Sequence, residues 1–502
     1  MSDPNRVIRQ SQAAISYGVG SIYNVLGESF VLCDTSRWNS RNYGARGREI
    51  TADRLIRALS SRGYKVNHLH EPVEMEEARR RFDEPPSRGL PYLRFPRWLF
   101  CSNCRQMVKW RRERERQMSG DEPSCPTCGS RYKMTPMRFI VICEDGHMGD
   151  VPWGRWAHSR SESAQQCSNW NEGLEFHSRS GFGGGLASLA VECQECEASR
   201  SLEGITQKNA LKQVGWECPS RQPWEITSSR DCDRDLHVVQ KGSGSVYYPS
   251  SASAITIPPE SDRNLEENGL VEEVRSHDAY DYITDEMTLE ALAPQIADDL
   301  GVKESEVREI VIEEEEDAQE SGEEDISTQE WKALTEPHQP SDSRAEFVNE
   351  SLSLIPEDMS EPSATLSRLD DMISRVMAVR KLREVRALVG FHRYKPGGTD
   401  HNERLVKPDL GRGEDWLPAT EVYGEGIFLT LDEATLTEWE ESDPVQNRAE
   451  RLERRREESI YSAITNEATP RYILLHTLSH LLIRRLAFSC GYASASLRAC
   501  RS

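Results

Sequence analysis

Two tight hooks, Cys101-Ser-Asn-Cys104 and Cys125-Pro-Thr-Cys128, constrain this chain more than any other feature. Each puts two thiolates on one turn, and two facing turns make a closed tetrahedral S4 site of the zinc-ribbon kind. A closed site shapes a fold and leaves no open position for a reacting ligand. A second set follows, with Cys193-Gln-Glu-Cys196 as its tight half and Cys218 and Cys232 as its loose half. The spacing predicts a second four-thiol zinc site there. A third group is Cys143-Glu-Asp-Gly-His147 with His158 and Cys167 downstream. Two readings of it stand: a further zinc site with two sulfur and two nitrogen ligands, or a buried thiol beside two hydrogen-bonded histidines. The expected cofactor is therefore Zn2+ at two sites, with the third group open to either reading.

With 502 residues the chain has room for about three domains. It holds no run of about 18 apolar residues, the minimum for a membrane span. Its N-terminus, Met1-Ser-Asp-Pro-Asn-Arg6, lacks the basic-then-apolar layout of a secretory signal. Hooked cysteines without such a signal read as metal ligands in a reducing compartment, so a cytoplasmic location is expected. The net charge of −22 has a local origin, because residues 260–330 carry 26 acidic against four basic side chains. Outside that segment the charges balance, and pI does not argue against nucleic-acid contact.

The expected fold class is α+β and multi-domain, with zinc-ribbon-like cysteine modules, an acidic and partly disordered segment, and a largely helical C-terminal region. The expected divisions are an α/β region at 1–90, a cysteine-rich module at 91–250, an acidic insertion or linker at 251–345 and helices at 346–502. Gly18 to Cys33 reads as a turn feeding a strand, and Glu49 to Leu59 as a short helix stopped near Gly63. Leu289 to Ile312 alternates at helical spacing, whereas 313–330, centred on Glu313 to Asp317, reads as disordered. Helical periodicity returns over Leu366–Leu388, Ala449–Thr465 and Tyr472–Phe488.

Two basic stretches suit phosphate or an acidic partner. Lys109, Trp110, Arg111 and Arg112 lie between the first two hooks, although alternating Arg and Glu there also describes an ordinary solvated helix. Arg375, Arg380, Lys381, Arg383, Arg386 and Arg393 fall along an expected amphipathic helix with a cationic side. His476 and His480 stand at i and i+4 without the glutamate of HExxH, on a helix apolar nearly all round and hence expected to be buried. No GxxxxGK[ST] loop, GxSxG elbow or two-metal carboxylate set occurs, so no catalytic residue is assigned and the chain is expected not to be an enzyme.

In combination these segments resemble the B components of the DISARM anti-phage defence system. The resemblance runs through Arg9-Gln-Ser-Gln12, Tyr17-Gly-Val-Gly20-Ser21, and Phe95-Pro-Arg-Trp-Leu-Phe100 before the first hook. It continues with Cys143-x-x-Gly146-His147-x-Gly-Asp150-x-Pro-Trp153, Trp156-Ala-His158, Gly173-Leu174, Cys193-x-x-Cys196 and Gly242-Ser-Gly-Ser-Val246-Tyr-Tyr-Pro249. Ile255-Thr-Ile-Pro258, Lys381-Leu-Arg-Glu-Val-Arg386 and His476-Thr-Leu-Ser-His480 complete it. It implies a helicase-like ATPase partner of the A-component (DrmA) type, DNA engaged through the complex, and no membrane. It also implies a C-terminal region that continues past His480 with further cysteines, so this chain is expected to be truncated or divergent there, with Cys490 and Cys500 lacking partners.

The reading that results is a non-catalytic, zinc-stabilised defence subunit that helps position DNA. Its rivals are a metal-dependent hydrolase or nuclease using His147, His158 or the His476–His480 pair, and a structural adaptor that never touches nucleic acid. For the acidic segment two readings stand, a removable plug over cationic surface and a plain spacer.

Overall fold

The computed structural model describes residues 11–38, 46–72, 90–117, 122–178, 185–226, 231–258, 260–312 with short breaks, 325–340, 345–395 apart from three positions, 404–459, 466–493 and 497–499. The chain divides into two compact units, each assembled from separate stretches and each drawing on more than one of the four expected regions. The first takes residues up to Ile50, Leu59–Ser253 and Arg386–Glu421; the second takes Thr51–Ala58, Ala254–Val385 and Val422 onward.

The first unit is built from small sheets. Ile22–Val25 and Glu28–Leu32 form a hairpin through Leu26 and Gly27, both at positive φ (46° and 85°), the two-residue turn whose twist matches the strands. Tyr92–Arg94 adds to that hairpin. Four strands, Met107–Lys109, Trp98–Cys101, Gly129–Pro136 and Ser124–Cys125 in that order, carry both of the first hooks. Phe139–Ile142 lies between Met148–Asp150 and His237–Gln240. Leu189–Cys193 lies between Leu174–Ser178 and Ser199–Ser201. Trp38, Trp224, Phe95, Phe391 and Trp416 belong to one buried cluster, and Trp98, Trp153, Trp156 and Leu174 to another.

Among the described residues the second unit shows these two apolar clusters. Leu289, Ala293, Ile296 and Ala297 recur on one face of the helix Glu286–Leu300 and pack with Val274, Val307 and Val311. That helix stops at Gly301, whose φ of 70° is left-handed, so the expected helix to Ile312 is two pieces instead of one. Ile257, Phe347 and Val379 form the other cluster with Ala333 and Leu334. Those last two lie on a helix, Ile326–Thr335, so the expected disorder fails at residues 326–330. The core of that expectation, Glu313 to Asp317, lies outside the described residues.

The expected cationic helix over Leu366–Leu388 is corrected most strongly. A helix occupies only Ala364–Met372, capped by Ser363 Oγ accepting from the Leu366 amide at 3.2 Å. Ile373–His392 is then a single 20-residue strand, paired antiparallel with Val348–Leu352. Spacing of Met372, Val376, Val379 and Leu382 fits a helix, but Arg383, Val385 and Ala387 are buried in strict alternation with Glu384 and Arg386. Valine stiffness at χ1 and pairing along the sheet favour the extended form.

C-terminal helices occupy Glu433–Glu441, Asp443–Glu457 and Pro470–Cys490. The last begins at Thr469, whose Oγ1 accepts from the Tyr472 amide, and ends at left-handed Gly491. Its expected burial does not occur. No residue on it is buried, and Phe488 is 89% exposed. Among the described residues no helix is long and apolar enough to cross a membrane.

Candidate metal centres

Three groups of four Cys or His side chains converge, each with its ligand atoms within 4.8 Å of one another. All lie in the first unit. Sulfurs about 2.3 Å from a central divalent ion sit about 3.8 Å apart at the corners of a tetrahedron, whereas a disulfide is about 2.05 Å long. The observed separations of 3.6 to 4.0 Å match the tetrahedron.

The first group is Cys101, Cys104, Cys125 and Cys128, with the Cys104 and Cys125 sulfurs 3.6 Å apart. Strand Trp98–Cys101 delivers the first ligand, and the Arg105 amide returns to the Cys101 carbonyl at 3.0 Å. Arg105 and Gly129, each following the second cysteine of its hook, have φ of 68° and 87°. That left-handed step turns the hook so both sulfurs point the same way. The Asn103 side chain and the Cys128 amide donate to the Cys128 and Cys125 sulfurs at 3.3 and 3.4 Å, which spreads thiolate charge.

The second group is Cys143, His147, Cys218 and Cys232. His147 Nδ1 lies 3.4 Å from the Cys143 sulfur and 3.5 Å from that of Cys218, so Nδ1 is the ligand atom. Cys218 and Cys143 are 3.7 Å apart, Cys143 and Cys232 4.0 Å. The third group is His158, Cys167, Cys193 and Cys196, with Cys167 and Cys193 at 3.7 Å. Here Glu197 takes the left-handed step (φ 59°) and its amide returns to the Cys193 carbonyl at 2.9 Å.

His158 shows most directly that the third group suits a metal. Its Nδ1 lies 2.7 Å from the Gly154 carbonyl and donates to it, which leaves Nε2 with a lone pair. Nε2 is buried and has no hydrogen-bond partner among the described residues, a costly arrangement unless something binds there. Trp170 stacks on the ring, centroids 5.0 Å apart and planes 4° from parallel, and is itself pinned by its indole N–H to the Ala164 carbonyl.

The membership of the second and third groups differs from the pairing expected from spacing. Cys193 and Cys196 do not join Cys218 and Cys232; they take His158 and Cys167, while Cys143 and His147 take Cys218 and Cys232. Strand register explains the exchange. Ile142 pairs with His237, which draws the Cys232 segment to Cys143, and the Gln222 side chain donates to the Gly146 carbonyl at 2.8 Å, holding the Cys218 loop there. Leu174 pairs with Cys193, which brings that hook to the segment following Cys167.

Crowded thiols resist ionising without a cation. Burial is the first cause pushing Cys104 and Cys167 up to about 12, and Cys232 up to about 11. Cys143 goes the other way, to about 4, because Cys218 donates to it, with His147 contributing next. In the second group Cys143 is thus the thiol that ionises most readily, and a divalent ion must displace the protons of the raised thiols.

The basic residues separate into two sets. Lys109 and Arg111 are exposed; the side chain of Arg112 lies outside the described residues. Arg375 is exposed and donates to the Thr335 carbonyl, Arg380 pairs with Glu350, and Lys381 and Arg386 are half-buried. Arg383 and Arg393, expected on a solvent face, are core residues. Arg383 donates to Thr256 Oγ1 and the Thr51 carbonyl and pairs with Glu346 at 3.2 Å. Arg393, 1% exposed, donates to the carbonyls of Gly146 (2.8 Å), Val246 (2.6 Å) and Gly20 (2.8 Å) and to Gln222 Oε1 (3.3 Å). Sequence reasoning missed this role because a buried guanidinium served by backbone carbonyls leaves no local pattern.

His476 and His480 have rings 4.6 Å apart, but no third ligand joins them among the described residues. Their helix is the exposed one.

Residues 9–248 match a family described as "Domain of unknown function (DUF8724)", a span that contains all twelve converging ligands. The chain is also 26% identical to the DISARM protein DrmB of Bacillus paralicheniformis (strain ATCC 9945a / NCIMB 11709 / CD-2), covering 94% of this chain and 80% of that protein. The likeness takes in both units and the metal-ligand module together, and over nearly its whole length this chain is DrmB-like.

Proposed function

We propose that this chain is a non-catalytic subunit of a DISARM anti-phage complex, in which three zinc ions shape a platform that meets a helicase-like ATPase and helps hold DNA. The observation that carries the reading is the similarity to DrmB along almost the full chain. Zinc is favoured by the donor sets, one with four sulfurs and two with three sulfurs and one imidazole nitrogen, in closed tetrahedral arrangement. Such sets suit a compartment where thiols stay reduced, the cytoplasm. His147 and His158 each sit in a filled four-ligand set, which argues against the hydrolase reading. The metals would hold loops that the small sheets alone cannot fix.

Elemental analysis of the purified chain is expected to return three zinc equivalents, matching the three ligand groups. Co-expression with a helicase-like DISARM subunit is expected to give one complex that shifts DNA and restricts phage plating. Copurification failure together with undiminished plating would remove the proposal, as would metal-stimulated DNA cleavage by this chain alone.

A further inference from the structure

We propose a phosphate-binding site for single-stranded nucleic acid on the helix Trp153–His158 and the strand Ser199–Ser201, built from Arg155, Arg160 and Arg200 beside Trp170 and Trp216. The site rests on the DNA-assisting role just proposed and gives that role residues other than those of both basic stretches expected from sequence. Arg200, only 8% exposed, lies flat over Trp156 at 3.5 Å and its Nη1 donates to Ser159 Oγ at 2.5 Å, so it backs the site with charge while the exposed Arg155 and Arg160 face the strand. Arg155, the residue before Trp156, lies over Trp216 at 5.4 Å and donates to the Gly215 carbonyl at 3.4 Å. Arg160 follows Ser159 and is exposed.

None of the three meets a carboxylate among the described residues. Other arginines of the chain do find one: Arg94, Arg404, Arg412 and Arg471 each have a carboxylate partner. Burial, with the neighbouring charge of Arg160 as the smaller cause, pushes the Arg200 guanidinium down to about 10. Like charges kept close, with acidic partners left elsewhere, suit an anion that comes from outside.

The aromatic residues select the kind of anion. Trp170 is 38% exposed and rigidly held, stacked on the third group's histidine and bonded to Ala164. Trp216 is half-buried beneath Arg155. Indole rings interleaved with guanidinium groups bind strands whose bases are unstacked, because each base offers a π-face and each phosphate a charge. A duplex hides those faces. The third metal group places both Trp170 and the end of the helix, so its metal would preorganise the site without touching the strand.

The test uses the full chain, its metals and its helicase-like partner. Fluorescein-labelled oligothymidine is titrated by anisotropy at several salt concentrations. Arg160→Glu, which alters an exposed side chain, is expected to weaken binding about tenfold and to flatten the salt dependence by about 0.7 per lost phosphate contact. Arg155→Glu should act in the same direction, and Arg484→Glu on the exposed C-terminal helix should not. Unchanged affinity and salt slope for Arg160→Glu and Arg155→Glu, in a complex that still binds the oligonucleotide, overturn this site while leaving the proposed function standing. Loss of the helicase-like subunit from the Arg160→Glu complex, with the chain's own oligonucleotide affinity unchanged, assigns the patch to an acidic protein surface and also overturns it. A complex that binds no nucleic acid at all removes the broader reading instead.

Discussion

If the three ligand groups hold metal as proposed, Cys143→Ser is expected to cost the first unit one ion of three and several kcal/mol of stability. The second group would keep His147, Cys218 and Cys232, but three ligands hold a structural ion far less tightly than four. Structural zinc contributes roughly 10–16 kcal/mol of apparent binding energy in small domains, and whole domains are stable by only about 5–15 kcal/mol. Losing even a third of that binding is therefore a large fraction of what holds the unit folded. Thermal unfolding should begin about 10 °C lower, at the usual 2–4 °C per kcal/mol for a unit of this size. Cys33→Ser is the control, since Cys33 is buried but outside every ligand group. It should retain all three metals. If Cys143→Ser also retained three metals and its melting temperature, the second centre would be disproved.

The next largest effect is expected at Arg393. Its side chain supplies the donors for three backbone carbonyls and one amide oxygen, and it stacks 4.6 Å from the Phe391 ring. Arg393→Met removes a buried charge, which is favourable, but leaves the Val246 and Gly20 carbonyls and Gln222 Oε1 without this donor, while the Gly146 carbonyl keeps only the Gln222 amide. Hydrogen bonds from a charged donor are worth about 1.5–3 kcal/mol each, and an orphaned buried acceptor costs about 1–3 kcal/mol. Several such losses outweigh the gain, so a net loss of at least about 3 kcal/mol is expected. Arg393→Lys should recover only part, because one ammonium cannot reproduce the guanidinium fork. Space is short here as well. A Cβ at Gly20 would lie 2.6 Å from the Phe391 ring, and the φ of 83° there already demands glycine.

Arg393 also reaches the second metal centre. It grips the Gly146 carbonyl within the Cys143–His147 turn; burial pushes its guanidinium down to about 9, opposed first by Tyr247 and then by the Cys143 thiolate. Arg393→Met should therefore release metal to a chromogenic chelator faster than the parent, from one site of three. Equal release rates and equal urea midpoints would rule out both statements.

These two predictions also show what the sequence made legible. The first hooks could be read because both halves of a site lie close in sequence and each hook makes its own turn. Cys193–Cys196 was equally legible as half a site. Its other half was not, because strand register decides which distant residues arrive, and register depends on side chains far from any ligand. Ile142 opposite His237 is such a case. The strand Ile373–His392 is misread as a helix for a related reason: its apolar spacing fits both periods, and pairing with neighbouring strands, Val348–Leu352 among them, resolves it. Ile326–Thr335 was hidden by the acidic run before it, although Ala333 and Leu334 pack against Phe347.

The arrangement of ligands along the chain is nested: every residue of the His158–Cys196 centre falls between His147 and Cys218, which are 71 residues apart. Closing the outer loop is entropically easier once the inner one has been tied off, since each halving of the free length saves about 0.6 kcal/mol. Assembly then has a direction. The inner ion would be captured early, during synthesis of its own segment, and the outer ion would lock behind it like a clasp over an already knotted cord.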